Sequence, residues 1–164
     1  MGEQLSRTPE DAKINLELGE AAQSHGDLLR AEQYYQRAEA LGVAPEKILP
    51  KILGVLVAAQ RYAEALARCE KRLSLAPDDR PTRFVRSALL VALERPREAE
   101  HDLLLLIDHK PDDAAAYLAL GKLYRDALHD QMRARPQFER FLSLAPNDGE
   151  ALSVRFQLES EKIP

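Results

Sequence analysis

A proline-centred punctuation recurs along the chain at a near-fixed spacing, and it restricts the fold more tightly than any other feature of the sequence. Ser74-Leu75-Ala76-Pro77-Asp78-Asp79 returns as Ser143-Leu144-Ala145-Pro146-Asn147-Asp148, and Asp108-His109-Lys110-Pro111-Asp112-Asp113 stands between them. Pro77 and Pro111 are 34 residues apart, and Pro111 and Pro146 are 35 apart. A period of this length marks stacked supersecondary units, each unable to bury its apolar face alone. Proline cannot continue a helix, and the Asp or Asn after it can accept the free N–H groups of the next one. The carboxylates also suit the positive end of that helix. Between the marks lie two stretches of helical apolar periodicity joined by a short polar turn, the pattern of an antiparallel helix pair.

Within this frame the residues resemble the tetratricopeptide repeat family, whose pattern runs Trp-x2-Leu-Gly-x2-Tyr, then Ala-x3-Phe, then Pro. The fourth repeat carries Tyr117, Leu120-Gly121, Tyr124, Ala134, Phe138 and Pro146, with one extra residue expected in the turn. The first has Leu18-Gly19, Ala31 and Tyr35, with Gly26 in the turn and Asn15 and Ala22 in place of aromatics. The second supplies Leu49, Ile52-Leu53, Leu56, Ala65, Cys69 and Pro77. The third departs furthest, with Arg83, Arg86-Ser87, Leu90, Ala99, Leu103 and Pro111.

The resemblance implies an all-α, right-handed α-solenoid of about four helix-turn-helix repeats, at residues 12–45, 46–79, 80–113 and 114–148. Residues 1–11 read as an N-terminal tail. Residues 149–164 read as a capping helix and tail, with Leu152, Phe156 and Leu158 at helical spacing. A repeat array needs such a helix to cover its last apolar face. Gly19, Ser87 and Gly121 would let paired helices approach, with Ala31, Ala65, Ala99 and Ala134 facing them. Leu53 breaks that rule, so the second pair is expected to be splayed locally. Pro96 suits a helix start, and Pro50 marks a start or a bend. Pro136 predicts a helix beginning near Arg135, with residues 128–134 irregular.

Composition removes several classes of function. The net charge of −4 argues against phosphate-backbone binding, and hence against a nucleic-acid partner. The single cysteine, Cys69, cannot form an internal disulfide, and no Cys/His cluster has metal-ligand spacing, so no metal and no cofactor are expected. Runs such as Leu103–Ile107 fall far short of a membrane span. Met1-Gly2-Glu3-Gln4-Leu5-Ser6 lacks a secretory pattern but fits the degenerate motif for N-myristoylation. His25, His101, His109 and His129 are expected in turns or near helix ends, with no second ligand type at useful spacing. No Gly-rich phosphate loop or Ser-His-Asp set is present. The chain is not expected to be an enzyme. A cytoplasmic location follows, or a periplasmic one should an export signal have been removed; the Ala-, Leu- and Arg-rich composition points weakly to a bacterial gene.

In the family it resembles, the first helix of each pair lines a concave face that receives a partner peptide or helix. The positions carried across are Leu16, Glu20, Lys47, Lys51, Val57, Phe84, Val85, Ala88, Val91, Leu118, Lys122 and Arg125. Phe84, Ala88 and Val91 lie at i, i+4 and i+7 and share one stripe. The centre of the set is apolar, with Lys51, Lys122 and Arg125 at its rim, which suits an amphipathic helix or extended segment with acidic flanks. Leu16 and Glu20 stand where a carboxylate clamp would need basic and amide residues. Arg83 and Arg86 occupy normally apolar positions; many repeats of the family carry an arginine where Arg86 stands, and Arg83 is expected to snorkel or to pair with a glutamate. Leu104 and Leu105 are expected on the outer face, as a patch for a homodimer or a partner. The leading function is a protein-interaction adaptor or scaffold within a larger assembly. The alternatives are a small secretion-type chaperone shielding an apolar client segment, and a regulatory module of a larger enzyme.

Overall fold

A computed structural model of the chain describes residues 9–160. Among them are nine α-helices and no strand: α1 (Pro9–Ser24), α2 (Leu28–Ala40), α3 (Pro45–Ala58), α4 (Tyr62–Leu75), α5 (Arg80–Ala92), α6 (Pro96–His109), α7 (Ala114–Lys122), α8 (Gln131–Leu144) and α9 (Ala151–Ser160). A π-helical turn, Leu123–Ala127, follows α7 directly. The contacts group into two compact bodies divided inside α4, at residues 1–68 and 69–164. In the N-terminal body α1 pairs with α2, and α2 packs on α3. In the C-terminal body α5 pairs with α6 and α7 with α8, while α6 packs on α7 and α8 on α9. The lipidation motif, residues 161–164 and most of the expected N-terminal tail lie outside the described residues. Residues 9–11 of that tail are helical, because Pro9 has the fixed φ that suits a first helical position.

The second acid of each Pro-Asp-Asp mark caps the helix that follows. Asp79 accepts from the Thr82 N–H at 3.1 Å and Asp113 from the Ala116 N–H at 3.4 Å. Within the pairs, Gly26, Gln60, Glu94 and His129 each take a positive φ, at 77, 59, 57 and 51°. The next N–H then bonds back to a carbonyl five residues earlier: Asp27 to Ala22, Arg61 to Leu56 and Arg95 to Leu90, at 2.8–2.9 Å. In the fourth repeat Asp130 reaches six residues back, to Tyr124 at 2.8 Å. The extra residue therefore sits in the π turn rather than in the connecting turn. This widening lets Phe138 keep its place opposite Gly121.

The close approach at the glycines is filled by rings rather than by the alanines. A Cβ on Gly121 would lie 2.6 Å from Phe138 Cε1, and one on Gly19 would run into the Tyr35 ring. Both rings are fully buried, as are Ala31, Ala65, Ala99 and Ala134. Leu53, where splaying was expected, is itself buried.

Pro136 does not delay its helix. α8 begins at Gln131, with Asp130 capping the Arg133 N–H at 3.0 Å, and only residues 128–130 are irregular. As the sixth residue of α8, Pro136 orphans one carbonyl, that of Met132, a residue 90% exposed where water can satisfy it. Pro50 is likewise the sixth residue of α3, which starts at Pro45, so it lies inside the helix and does not begin it. At the far end, α9 buries Ala151, Val154 and Leu158 but leaves Leu152 and Phe156 76% and 75% exposed.

Candidate functional site

The C-terminal body gathers the apolar centre of the expected groove. Phe84, Ala88 and Val91 of α5 line an open hollow of about 270 Å³ together with Ala119 and Lys122 of α7 and Leu123, Asp126 and Ala127 of the π turn. Buried Ser87 and Leu103 also line it, and the Ser87 hydroxyl is occupied in donating to the Phe84 carbonyl at 2.7 Å. A second, larger hollow of about 640 Å³ is lined by Pro81, Phe84, Val85, Leu106 and Ala115, with Arg80 and Asp113 at its edge. Phe84 borders both. The i, i+4, i+7 stripe on α5 thus meets the small residues of α7, and the π turn brings three further residues to the same wall.

The expected cationic rim is largely neutralised within the molecule. Lys122 pairs with Glu150 at 3.2 Å. Arg125 pairs with Asp126 at 2.5 Å, bonds to Gln157 and stacks over the Phe138 ring at 5.4 Å. The Arg125 guanidinium holds the Asp126 carboxyl below its ordinary range. Arg80 pairs with Asp113 and donates to the Leu106 carbonyl at 2.9 Å. Leu118 is half-buried and lines neither hollow.

Leu16, Glu20, Lys47, Lys51 and Val57 belong to the N-terminal body. There Lys51 and Glu20 form an ion pair, Leu16 is half-buried, Lys47 is exposed and Val57 is 40% exposed. Of the outer-face pair, Leu104 is 47% exposed, but Leu105 is half-buried, as is Ile107. The outward leucine is therefore single.

Arg83 does not snorkel, and its partner, shared with Arg86, is an aspartate and not the expected glutamate. Asp102 is wholly buried and receives Arg86 Nη1 at 2.8 and 2.9 Å on its two oxygens, with Arg83 Nη1 at 3.3 Å. Arg83 also donates to the Pro77 carbonyl at 2.5 Å. Burial pushes the Asp102 carboxyl up, against the pull of the two guanidiniums. This cluster locks α5 to α6 behind the hollow. Two arginines at buried positions demand an acid, and Asp102, three residues after Ala99, shares the inward face of α6; that was the available signal.

Burial pushes the Cys69 thiol up to about 11, which disfavours the reactive thiolate. All four histidines are exposed, with His101 in the body of α6 rather than near an end. Among the described residues no group of three or more His, Cys, Asp or Glu could hold a metal ion. No helix there is long and apolar enough to cross a membrane.

No family model matches the chain, and no curated protein matches it. Solved structures do. YrrB, described as a TPR protein with an unusual peptide-binding site, is 17% identical, with a TM-score of 0.72 over 90% of this chain and 76% of that one. A tetratricopeptide repeat protein from Parabacteroides merdae is 22% identical, with a TM-score of 0.76 over 92% of this chain and 59% of that one. MamA from Desulfovibrio magneticus is 18% identical, with a TM-score of 0.71 over 94% and 98%.

Proposed function

We propose that this chain, which has the tetratricopeptide-repeat fold, is an interaction adaptor that holds a segment of another protein against the first-helix face of its C-terminal body. The observation that carries the reading is the hollow bounded by Phe84, Ala88, Val91, Ala119 and Leu123. At about 270 Å³ it falls just below the size of ordinary small-molecule pockets, and it suits one or two apolar side chains of a larger ligand. Each well-buried anchor contributes about 1.5–3 kcal/mol before the entropy of association is subtracted. The internal pairing of Lys122 and Arg125 weakens the attraction for acidic flanks, so the preferred segment is an apolar-anchored helix or strand of near-neutral charge. The peptide-binding description of YrrB supports the class of ligand without fixing its identity.

The test is a pull-down from the native organism with the wild-type chain beside a Phe84→Asp, Val91→Asp variant shown by circular dichroism to be folded. A partner held by the first and lost by the second supports the reading. A partner held equally by both moves the site away from the hollow.

A further inference from the structure

One register position of the first helices carries Glu20, Gly54, Ala88 and Lys122, each 34 residues after the one before. Ala88 and Lys122 both line the smaller hollow. Where this position holds a charge, the helix two places on brings the opposite one. Lys51 of α3 pairs with Glu20 of α1, and Glu150, at the entry to α9, pairs with Lys122 of α7 at 3.2 Å. The backbone of Glu150 is fixed at both ends. Its N–H donates to Asp148 Oδ1 at 2.9 Å, and its carbonyl accepts the Val154 N–H at 3.0 Å. Glu150, Val154, Gln157 and Leu158 then follow one helical stripe, at i, i+4, i+7 and i+8. Val154 and Leu158 are buried, and the Gln157 side-chain oxygen accepts from Arg125. Asp126, the other acid at this edge of the hollow, binds two Arg125 nitrogens at 2.5 and 2.7 Å. The cations Lys122 and Arg125 and the acids Asp126 and Glu150 therefore cancel in formal charge.

We propose that Glu150 is a specificity-determining residue of the hollow: it neutralises Lys122, so that the site takes an apolar segment with uncharged flanks and discriminates against one with acidic flanks. This rests on the hollow being the binding site. The charge balance of the edge is what selects the occupant. An acid brought there meets a lysine that already has its anion, and it also meets the Glu150 carboxylate, so it gives up hydration for no net attraction. A segment with uncharged flanks loses nothing by comparison. The Lys122 and Glu150 side chains are 40% and 50% exposed, so the preference has the size of a surface ion pair, a few-fold in affinity. The same exposure separates the charge from the fold. Ala151, Val154 and Leu158 seat α9, and a glutamine at residue 150 keeps both backbone bonds. Gln157 does not share the role, because it is uncharged and the Arg125 charge is met by Asp126.

The probes are two fluorescein-labelled helical peptides with leucines at i, i+3, i+4 and i+7 of an alanine-rich helix, one flanked by glutamines and the other by glutamates. Binding is read by fluorescence anisotropy at low salt. The wild-type chain is expected to prefer the glutamine peptide. Glu150→Gln is expected to raise the affinity for the glutamate peptide relative to the glutamine one about threefold. Adding Lys122→Gln should cancel that gain, and salt at about 1 M, where the Debye length is about 3 Å, should erase it. Glu139→Gln removes one charge from the Arg135 pair on α8 and should leave the ratio where it was. Suppose the glutamine peptide binds wild type and is lost from the Phe84→Asp, Val91→Asp variant, yet Glu150→Gln does not move the ratio. The role of Glu150 is then overturned while the hollow stands. An equal gain from Glu139→Gln, or a gain that survives Lys122→Gln or high salt, overturns it as well. Binding that persists in the Phe84→Asp, Val91→Asp variant, or no binding of either peptide, overturns the hollow and this inference with it.

Discussion

The Phe138 ring lies against Gly121 so closely that a single methyl at residue 121 would come within 2.6 Å of its Cε1. The helix pair α7–α8 is thus set by the absence of one carbon. Alanine in a helix interior normally gains up to ~1 kcal/mol over glycine. Here overpacking against a fully buried ring reverses the sign, and Gly121→Ala is expected to cost about 1–3 kcal/mol net. Urea denaturation reads this directly. Combining Gly121→Ala with Phe138→Leu should recover part of the loss, and strict additivity of the two would argue against the contact.

Asp102 holds two guanidiniums at a site closed to water. Removing the acid leaves both charges without their anion, and Asp102→Ala is expected to cost about 3–5 kcal/mol. Replacing the whole cluster (Asp102→Leu, Arg83→Leu and Arg86→Met) should restore most of that stability, since well-packed apolar substitutes often match a buried ion cluster. Equal instability of the single and triple variants would show that the cluster is not what holds α5 to α6.

Three of the four turns within repeats place an L-residue in the left-handed region. Glu94, at φ 57°, is exposed, so nothing is lost with its side chain. Glu94→Gly is expected to stabilise the chain by about 1 kcal/mol, and Gly26→Gln to destabilise it by a similar amount. Thermal or urea midpoints for the two substitutions should move in opposite directions.

Asp79 is partly buried, which opposes its ionisation. Its bonds to Arg72 and to the Thr82 N–H outweigh that, and they hold its pKa below the ordinary 3.8. A depressed folded pKa contributes stability above the unfolded value, and the contribution is lost as pH falls through the folded one. Asn keeps the cap and removes the charge. The stability gap between wild type and Asp79→Asn, about 1 kcal/mol at neutral pH, should therefore close below about pH 4. A gap unchanged between pH 7 and pH 3 would exclude the ion pair as its source.

The punctuation, the helix pairs and the glycine positions were legible because they follow from local backbone chemistry. Phe84, Ala88 and Val91 were legible for the same reason, since helical spacing alone puts them on one stripe. Pro136 was misread because its cost depends on whether the Met132 carbonyl can reach water, which only the packed structure decides. The rim was misread because Glu150 lies 28 residues beyond Lys122 and nothing local announces the pair. Gln60 and Glu94 gave no hint of left-handed turns because their residue types disfavour them. Leu152 and Phe156 were placed in the right helix but on the wrong side of it, since periodicity fixes a stripe and not what covers it.

The π turn at Leu123–Ala127 changes what repeat length means in this chain. A ruler of fixed length laid along the sequence loses phase after Gly121, yet the helix that follows presents Ala134 and Phe138 as though nothing had been inserted. The molecule works as a vernier: one widened coil takes up a residue and returns the next helix to alignment. One extra residue at this point is therefore absorbed, and a repeat that is irregular by spacing still sets its ring opposite its glycine as the first repeat does.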